Sequence, residues 1–367
     1  MKPKAISGVV MLVAALTMVL LAFSQWLMTG DVADRYLMLG VILFTLVAVL
    51  LGFSPSSSLC RWLLLMVPVV GAAGWLIVQG GGGAAYWLAL TAVALLACLS
   101  VQRLAGVNDI ALPPSLVATL FGLWVLYFWQ LLVTVFAVPQ VLLPTPLDIA
   151  RALYEGAGLL AGDVMQTVVK SVLIGYALGC GLGVLVALLI DRLPFLQRGL
   201  LPLANLTSTI PLVGVAPIAV MWFGFDWPSK AAVIVLVTFF PALVSTLAGL
   251  QASEKREREL MYCYAASPRQ TLFSLRLPAA LPFIFGALKV NATLALISAI
   301  VAEFFGSPTA GLGFRISTEA ARMHMATVWA AIVVASVVGS LAYALLVRLE
   351  KRINFWHPAV RGMSSSR

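Results

Sequence analysis

Apolar runs of about twenty residues recur along the whole chain, and the loops between them alternate between rich and poor in lysine and arginine. Coiled at 1.5 Å per residue, a run of that length matches the hydrocarbon thickness of a bilayer. About ten such segments are read: 6–28, 36–53, 62–78, 84–101, 116–138, 165–190, 200–223, 231–250, 282–305 and 327–346. Composition agrees, because 62% hydrophobic and 10% charged residues leave too few ionic groups to cover a surface facing water; soluble domains carry about a quarter charged. The expected fold is all-α, a polytopic membrane protein of about ten transmembrane helices with no large soluble domain. The third and fourth segments, on either side of residues 80–83, are two spans or one re-entrant hairpin. Lys2 and Lys4 precede an apolar run longer than a signal-peptide core, so no cleavage is expected.

Orientation follows from the basic side chains. With the N-terminus in the cytoplasm, sixteen of the 23 Lys and Arg fall on inner segments. Five fall outside (Arg35, Arg151, Lys230, Arg315, Arg322), and Lys170 and Lys289 lie within spans. This is the asymmetry of the positive-inside rule, and it puts both termini in the cytoplasm. It also accounts for the formal charge of +9 without a nucleic-acid partner. Cys60, Cys98, Cys180 and Cys263 lie far apart, and neither His324 nor His357 stands in a ligand pattern, so no metal is expected.

Leu112-Pro113-Pro114-Ser115 divides the chain into an extension, 1–110, of four membrane segments, and a six-span part, 111–350, followed by a cytoplasmic tail, 351–367. The extension brings almost no polar groups into the membrane and reads as a packing or partner-docking module. No phosphate loop, zinc-hydrolase pattern or nucleophile–base pair occurs, so no catalytic residue is assigned. Gly179-Cys180-Gly181-Leu182-Gly183 imitates a dinucleotide fingerprint but lies in mid-membrane. Gly175, Gly179, Gly183 and Ala187 instead form a four-residue repeat of small side chains, which lets two helices approach closely.

The long inner loop, 251–277, is the most informative stretch. Ser253 is a plausible N-cap, and Glu254/Arg258 and Lys255/Glu259 are opposite charges at i,i+4. The helix turns apolar at Leu260, Met261 and Tyr264. Ser267-Pro268 then supplies a second N-cap with proline at the first helical position, and Leu277-Pro278 is expected to end that helix. Two short helices with a sharp turn can lie in the headgroup layer or present an apolar face to a partner.

The run from Glu259 through Ala265 and Ser267-Pro268 to Leu277-Pro278 resembles the EAA loop of bacterial ABC importer permeases: E-A-A, three residues, G, nine more, then hydrophobic-x-L-P. Leu260-Met261 stands where that pattern has Ala-Ala, and Ala265 where it has glycine. Alanine resists the left-handed backbone that glycine allows. Leu143-Pro144-Thr145-Pro146 before a short amphipathic stretch, Thr209-Ile210-Pro211-Leu212, Phe239-Phe240-Pro241, and Ala302-Glu303-Phe304-Phe305-Gly306 with Gly311-Leu312-Gly313 are similar to the nitrate/sulfonate/taurine branch, which includes permeases for a thiamine pyrimidine precursor. The resemblance covers the last six spans.

It implies an importer permease in a bacterial inner membrane, with residues 252–280 coupling it to separate cytoplasmic ATPase subunits. It further implies a second permease copy, an external solute-binding protein and a small polar or anionic solute. ATP and Mg would belong to the ATPase, and the permease would hold no cofactor. The competing class, an ion-gradient-driven transporter, would need mid-membrane ionisable groups and two similar halves, and neither is found.

Polar groups within lipid tend to face a cavity or a partner. The seventh segment holds the densest set, Asn205, Thr207, Ser208 and Thr209 followed by Pro211. It is read as a pathway wall or as a kinked helix whose hydroxyls bond to their own backbone. Asn291, Thr293 and Ser298 line the pathway or join helices. Lys289 and Glu303 are also counted as pathway candidates; measured from Pro282, Lys289 lies about 10 Å from the inner surface and Glu303 about 30 Å from it. Glu303 pairs with Lys170, or each of them faces solvent or snorkels.

Overall fold

A computed structural model describes residues 12–22, 42–43, 45–47, 69–74, 76, 84–105, 114–191, 199, 211–307 and 309–356. Everything regular among these is helical, and no strand occurs among the described residues. The helices are α1 (Ala84–Ala105), α2 (Pro114–Val135), α3 (Pro146–Glu155), α4 (Ala157–Ile190), α5 (Leu212–Phe223), α6 (Trp227–Gln251), α7 (Lys255–Cys263), α8 (Pro268–Phe305), α9 (Leu312–Ala321) and α10 (Met325–Ile353). Among the described residues five stretches are long and apolar enough to cross a membrane: Val117–Val135 within α2, and α4, α6, α8 and α10. Of the ten segments expected, the first three and the seventh fall partly outside the described residues; the fourth is α1.

The chain divides into two compact units, 1–147 and 148–367. Helix α2 belongs to the first unit. Aromatic anchors explain why. Tyr127 on α2 donates to Ala73 O (2.7 Å), Tyr86 on α1 donates to Leu76 O (3.2 Å), and Trp124 and Leu131 bury against Leu76, Val93 and Leu96. A phenol that buries its ring and still bonds its hydroxyl is a specific tie in an apolar setting.

In the second unit α6 lies between α4 and α8 and packs along both. The small-residue repeat makes the first contact possible. A Cβ on Gly175 would fall 2.8 Å from Ile234 Cβ, one on Gly179 2.0 Å from Thr238 Oγ1, and one on Gly183 2.6 Å from Phe239 O. On the other side of α6, Gly249 meets Ala280 and Phe283 in the same way. Without a hydrophobic drive between helices in lipid, such close backbone approach supplies the packing energy. Asn291 on α8 joins all three helices, its amide donating to Thr238 O (2.8 Å) and Cys180 Sγ (3.3 Å).

Several expectations are corrected. The helix expected at 165 begins at Ala157 and carries a π turn, Met165–Val172. Lys230, read as an outer-loop charge, is buried in the first turn of α6, where Nζ donates to Phe225 O and Asp226 O. Leu277-Pro278 does not end its helix: α8 runs unbroken from Pro268 to Phe305. A π turn, Leu272–Arg276, precedes the proline, so its missing N–H falls where the ladder is already changing register. Helix α9 was not anticipated at all.

Candidate functional site

The end of the second unit that the positive-inside rule assigns to the cytoplasm carries the 255–277 loop. Its first helix, α7, is capped one residue later than expected, at Glu254, whose N–H donates to Glu257 Oε2 (3.0 Å). Ser253 is buried and instead accepts from Arg258 Nε (2.8 Å). Arg258 also donates to Gln251 O (2.7 Å) and Ser253 O (3.0 Å), so it caps the carboxyl end of α6 rather than pairing with Glu254. Lys255 and Glu259 do pair, at 3.8 Å. The second cap is as expected, with Ser267 Oγ accepting from Gln270 N (3.3 Å) and Gln270 Oε1 from Ser267 N (2.7 Å).

Between the caps, Ala265 adopts φ +52°, the conformation alanine resists. Hydrogen bonds explain it. Ala266 N donates to Met261 O (3.0 Å) and Ala265 N to Tyr262 O (2.9 Å), the Schellman pair that closes a helix on a left-handed residue. An L-residue there costs about 1–2 kcal/mol. Ala265→Gly is therefore expected to slow amide exchange across 255–277, and Ala265→Val to speed it, as read by exchange mass spectrometry.

This braced turn exposes Leu260, Tyr262, Tyr264 and Phe273, the two tyrosines at 85% and 78%. Of the other residues singled out, Glu259, Ala265, Ser267 and Pro268 are exposed, while Met261, Leu277 and Pro278 are half-buried. Large apolar side chains exposed on a hydrogen-bonded loop suit an interaction surface.

The opposite end of the bundle holds a buried polar clasp. Helix α9 begins with three successive N–H groups, each accepted by a side chain from another helix or its own flank: Gly311 N by Asp163 Oδ1 (2.8 Å), Leu312 N by Thr167 Oγ1 (2.8 Å), Gly313 N by Glu303 Oε2 (2.7 Å). Thr167 in turn donates to Glu303 Oε1 (2.8 Å). Arg315, one turn into α9, reaches back to Asp163 (Nε to Oδ2, 2.8 Å), and Glu319 takes Arg322 (3.1 Å) and His324 (2.9 Å). Two carboxylates at a helix amino end suit its partial positive charge. The glycines are required by space: a Cβ on Gly311 would sit 2.7 Å from the Glu303 carboxylate, and one on Gly313 2.3 Å from Ile300 O.

Glu303 therefore does not pair with Lys170, because Thr167 and Gly313 hold its oxygens and Lys170 is exposed. Nearby, Asp226 caps α6 and accepts from Gln166 (2.8 Å) on α4. The Trp227 N–H, and then the Gln166 amide, hold its carboxyl below the ordinary range.

The remaining pathway candidates scatter. Lys289 bonds Glu350 on α10 (2.7 Å), Asn291 is fully buried between helices, and Thr293 and Ser298 bond back to Val290 O and Leu294 O. Pro211 is the extended residue before α5, while Asn205, Thr207, Ser208 and Thr209 lie outside the described residues. Sequence reasoning missed Asp163, Thr167, Arg315 and Glu319. The available signal was Asp163/Thr167 and Arg315/Glu319, two polar pairs at i,i+4.

The described residues of the second unit thus form a helical bundle whose long helices are apolar enough to cross a membrane, with a braced loop of exposed apolar side chains at one end. Residues 179–355 match the family of binding-protein-dependent transport system inner membrane components. The chain is 33% identical over 242 residues to a formylaminopyrimidine transport permease of Halalkalibacterium halodurans, covering 66% of this chain and 96% of that protein. It is 29% identical over 240 residues to a Bacillus subtilis permease named for aliphatic sulfonates (65% and 86%). It is also 29% identical over 199 residues to the taurine transport system permease of Escherichia coli (54% and 69%). The chain belongs to this family: it is an ABC importer permease of the sulfonate/taurine branch, a multi-pass protein of the bacterial inner membrane.

Proposed function

We propose that the chain passes a small polar solute across the inner membrane, driven by separate cytoplasmic ATPase subunits that dock on the 255–277 loop. Such a chain works as two copies and receives its solute from an external binding protein. ATP and Mg are held by the ATPase and none by this chain. The observation that carries the reading is the exposed Leu260, Tyr262, Tyr264 and Phe273 surface, held stiff by two capping boxes and a Schellman turn. Large aromatic side chains on a pre-organised element bind with little further ordering cost. The loop is also joined mechanically to the membrane, because α8 continues beyond residue 277 for about 42 Å. The solute class rests on the relatives, whose names cover a formylaminopyrimidine, sulfonates and taurine. The pathway wall is assigned to the segment entering Pro211.

The test is uptake of labelled formylaminopyrimidine and of labelled taurine, offered separately to cells carrying the full importer. Glu259→Lys and Ala265→Tyr are expected to abolish ATP-dependent uptake and co-purification of the ATPase while leaving membrane insertion intact. Undiminished co-purification and uptake in both variants refutes the docking role.

A further inference from the structure

At the basic end of the second unit one side chain touches three helices. Arg276 stands in the π turn of α8, and its guanidinium makes two parallel bonds to Asp191, each 2.7 Å. Its Nε donates to Leu250 O (3.1 Å) in the last turn of α6. Asp191 is the residue that caps the carboxyl end of α4. The pair is largely enclosed, 22% and 8% exposed.

The arrangement matters because α4 has no chain connection to the loop. Helices α6 and α8 flank the loop directly, and Arg258 ties it to α6. The inner end of α4 meets this group through Val184 and Leu188, which pack on Leu250, Leu272, Ala280 and Ile284. Apolar contacts of this kind permit small sliding of packed helices. A bidentate guanidinium–carboxylate pair does not, because it fixes angle as well as distance. The π turn in which Arg276 sits is a local widening of α8, the place where a long helix yields.

We propose that Arg276 is a positioning residue: through Asp191 and Leu250 O it makes the inner end of α4 follow the loop, so that movement delivered to 255–277 reaches a helix the chain does not connect to it. The inference rests on the loop being the ATPase docking site.

The test is hydrogen exchange on the assembled importer, permease with its ATPase in lipid nanodiscs, compared with and without Mg-ATP and vanadate. In the native complex, residues 184–191 and 255–277 are expected to change exchange together. In Arg276→Gln and in Asp191→Asn the loop response is expected to persist and the 184–191 response to be lost. The exchanged pair Asp191→Arg with Arg276→Asp is expected to restore it. A response at 184–191 that survives in both single variants overturns the inference, as does a native complex whose loop responds while 184–191 does not. A native loop indifferent to nucleotide overturns the docking reading itself. Because Asp191→Asn keeps size and shape, a failure of Arg276→Gln to fold leaves the question decidable.

Discussion

Leucine at position 183 is expected to abolish the folded permease, while leucine at position 181, two residues away on the same helix, is expected to be tolerated. Gly183 faces α6 across a distance set by backbone: an added Cβ would lie 2.6 Å from Phe239 O, 2.8 Å from Ala242 Cβ and 3.1 Å from Leu243 N. None of these atoms can turn aside, because two belong to the main chain of α6 and the third is fixed to it. Relief requires the helices to separate, which would also part Gly175 from Ile234 and Gly179 from Thr238. Overpacking with flexible neighbours costs about 1–3 kcal/mol; against backbone and along a shared seam the cost exceeds that range, a large fraction of the roughly 5–15 kcal/mol available to a domain. Around Gly181 nothing lies within 4 Å, so a side chain there meets open space. Even alanine separates the positions. Gly181→Ala gains up to about 1 kcal/mol of helix propensity, and Gly183→Ala loses more than that to the clash. Size-exclusion chromatography of detergent extracts, followed by thermal melting, reads both. Equal behaviour of the two leucine variants would remove the seam as the basis of α4–α6 packing.

The same seam shows what a sequence discloses. Gly175, Gly179, Gly183 and Ala187 repeat at the helical period, and that spacing by itself predicts a face made for close approach. Ser267-Pro268 and Lys255/Glu259 are equally local, settled within one turn, and the structure has them as expected. The clasp is different in kind. Glu303 meets Thr167 across 136 residues and Asp163 meets Gly311 across 148, so the partners are set by how three helices pack and not by any neighbour in the chain. A charge count therefore reads Arg315 as an outer-loop cation, and depth along the spans leaves Glu303 either paired with Lys170 or facing solvent. At Ala265 the intrinsic preference is overruled: two Schellman bonds and the flanking caps outweigh roughly 1–2 kcal/mol of strain. Leu277-Pro278 carries the usual stop signal, yet the helix passes through it directly after a π turn.

Arg315→Met is expected to be among the most damaging substitutions at the far end of the bundle, and Arg322→Met, one pair along the same network, among the mildest. Asp163 is 1% exposed and its carboxylate accepts from Arg315 and from Gly311 N. Removing the guanidinium leaves a buried charge without its counter-ion, a loss of about 3–5 kcal/mol. Arg322 is 62% exposed at its side chain and its bond to Glu319 is worth about 0–1 kcal/mol. If the penalty is uncompensated charge, neutralising the partner should cancel most of it. Asp163→Asn added to Arg315→Met keeps an oxygen for Gly311 N while removing the charge, and the double variant is expected to melt well above the single one. Leucine at 163 is expected to rescue less, because Gly311 N then loses its acceptor, costing about 1–3 kcal/mol. A single Arg315→Met variant that melts no lower than Arg322→Met would mean that α9 is held by its three N–H bonds and by packing, with the ion pair contributing nothing.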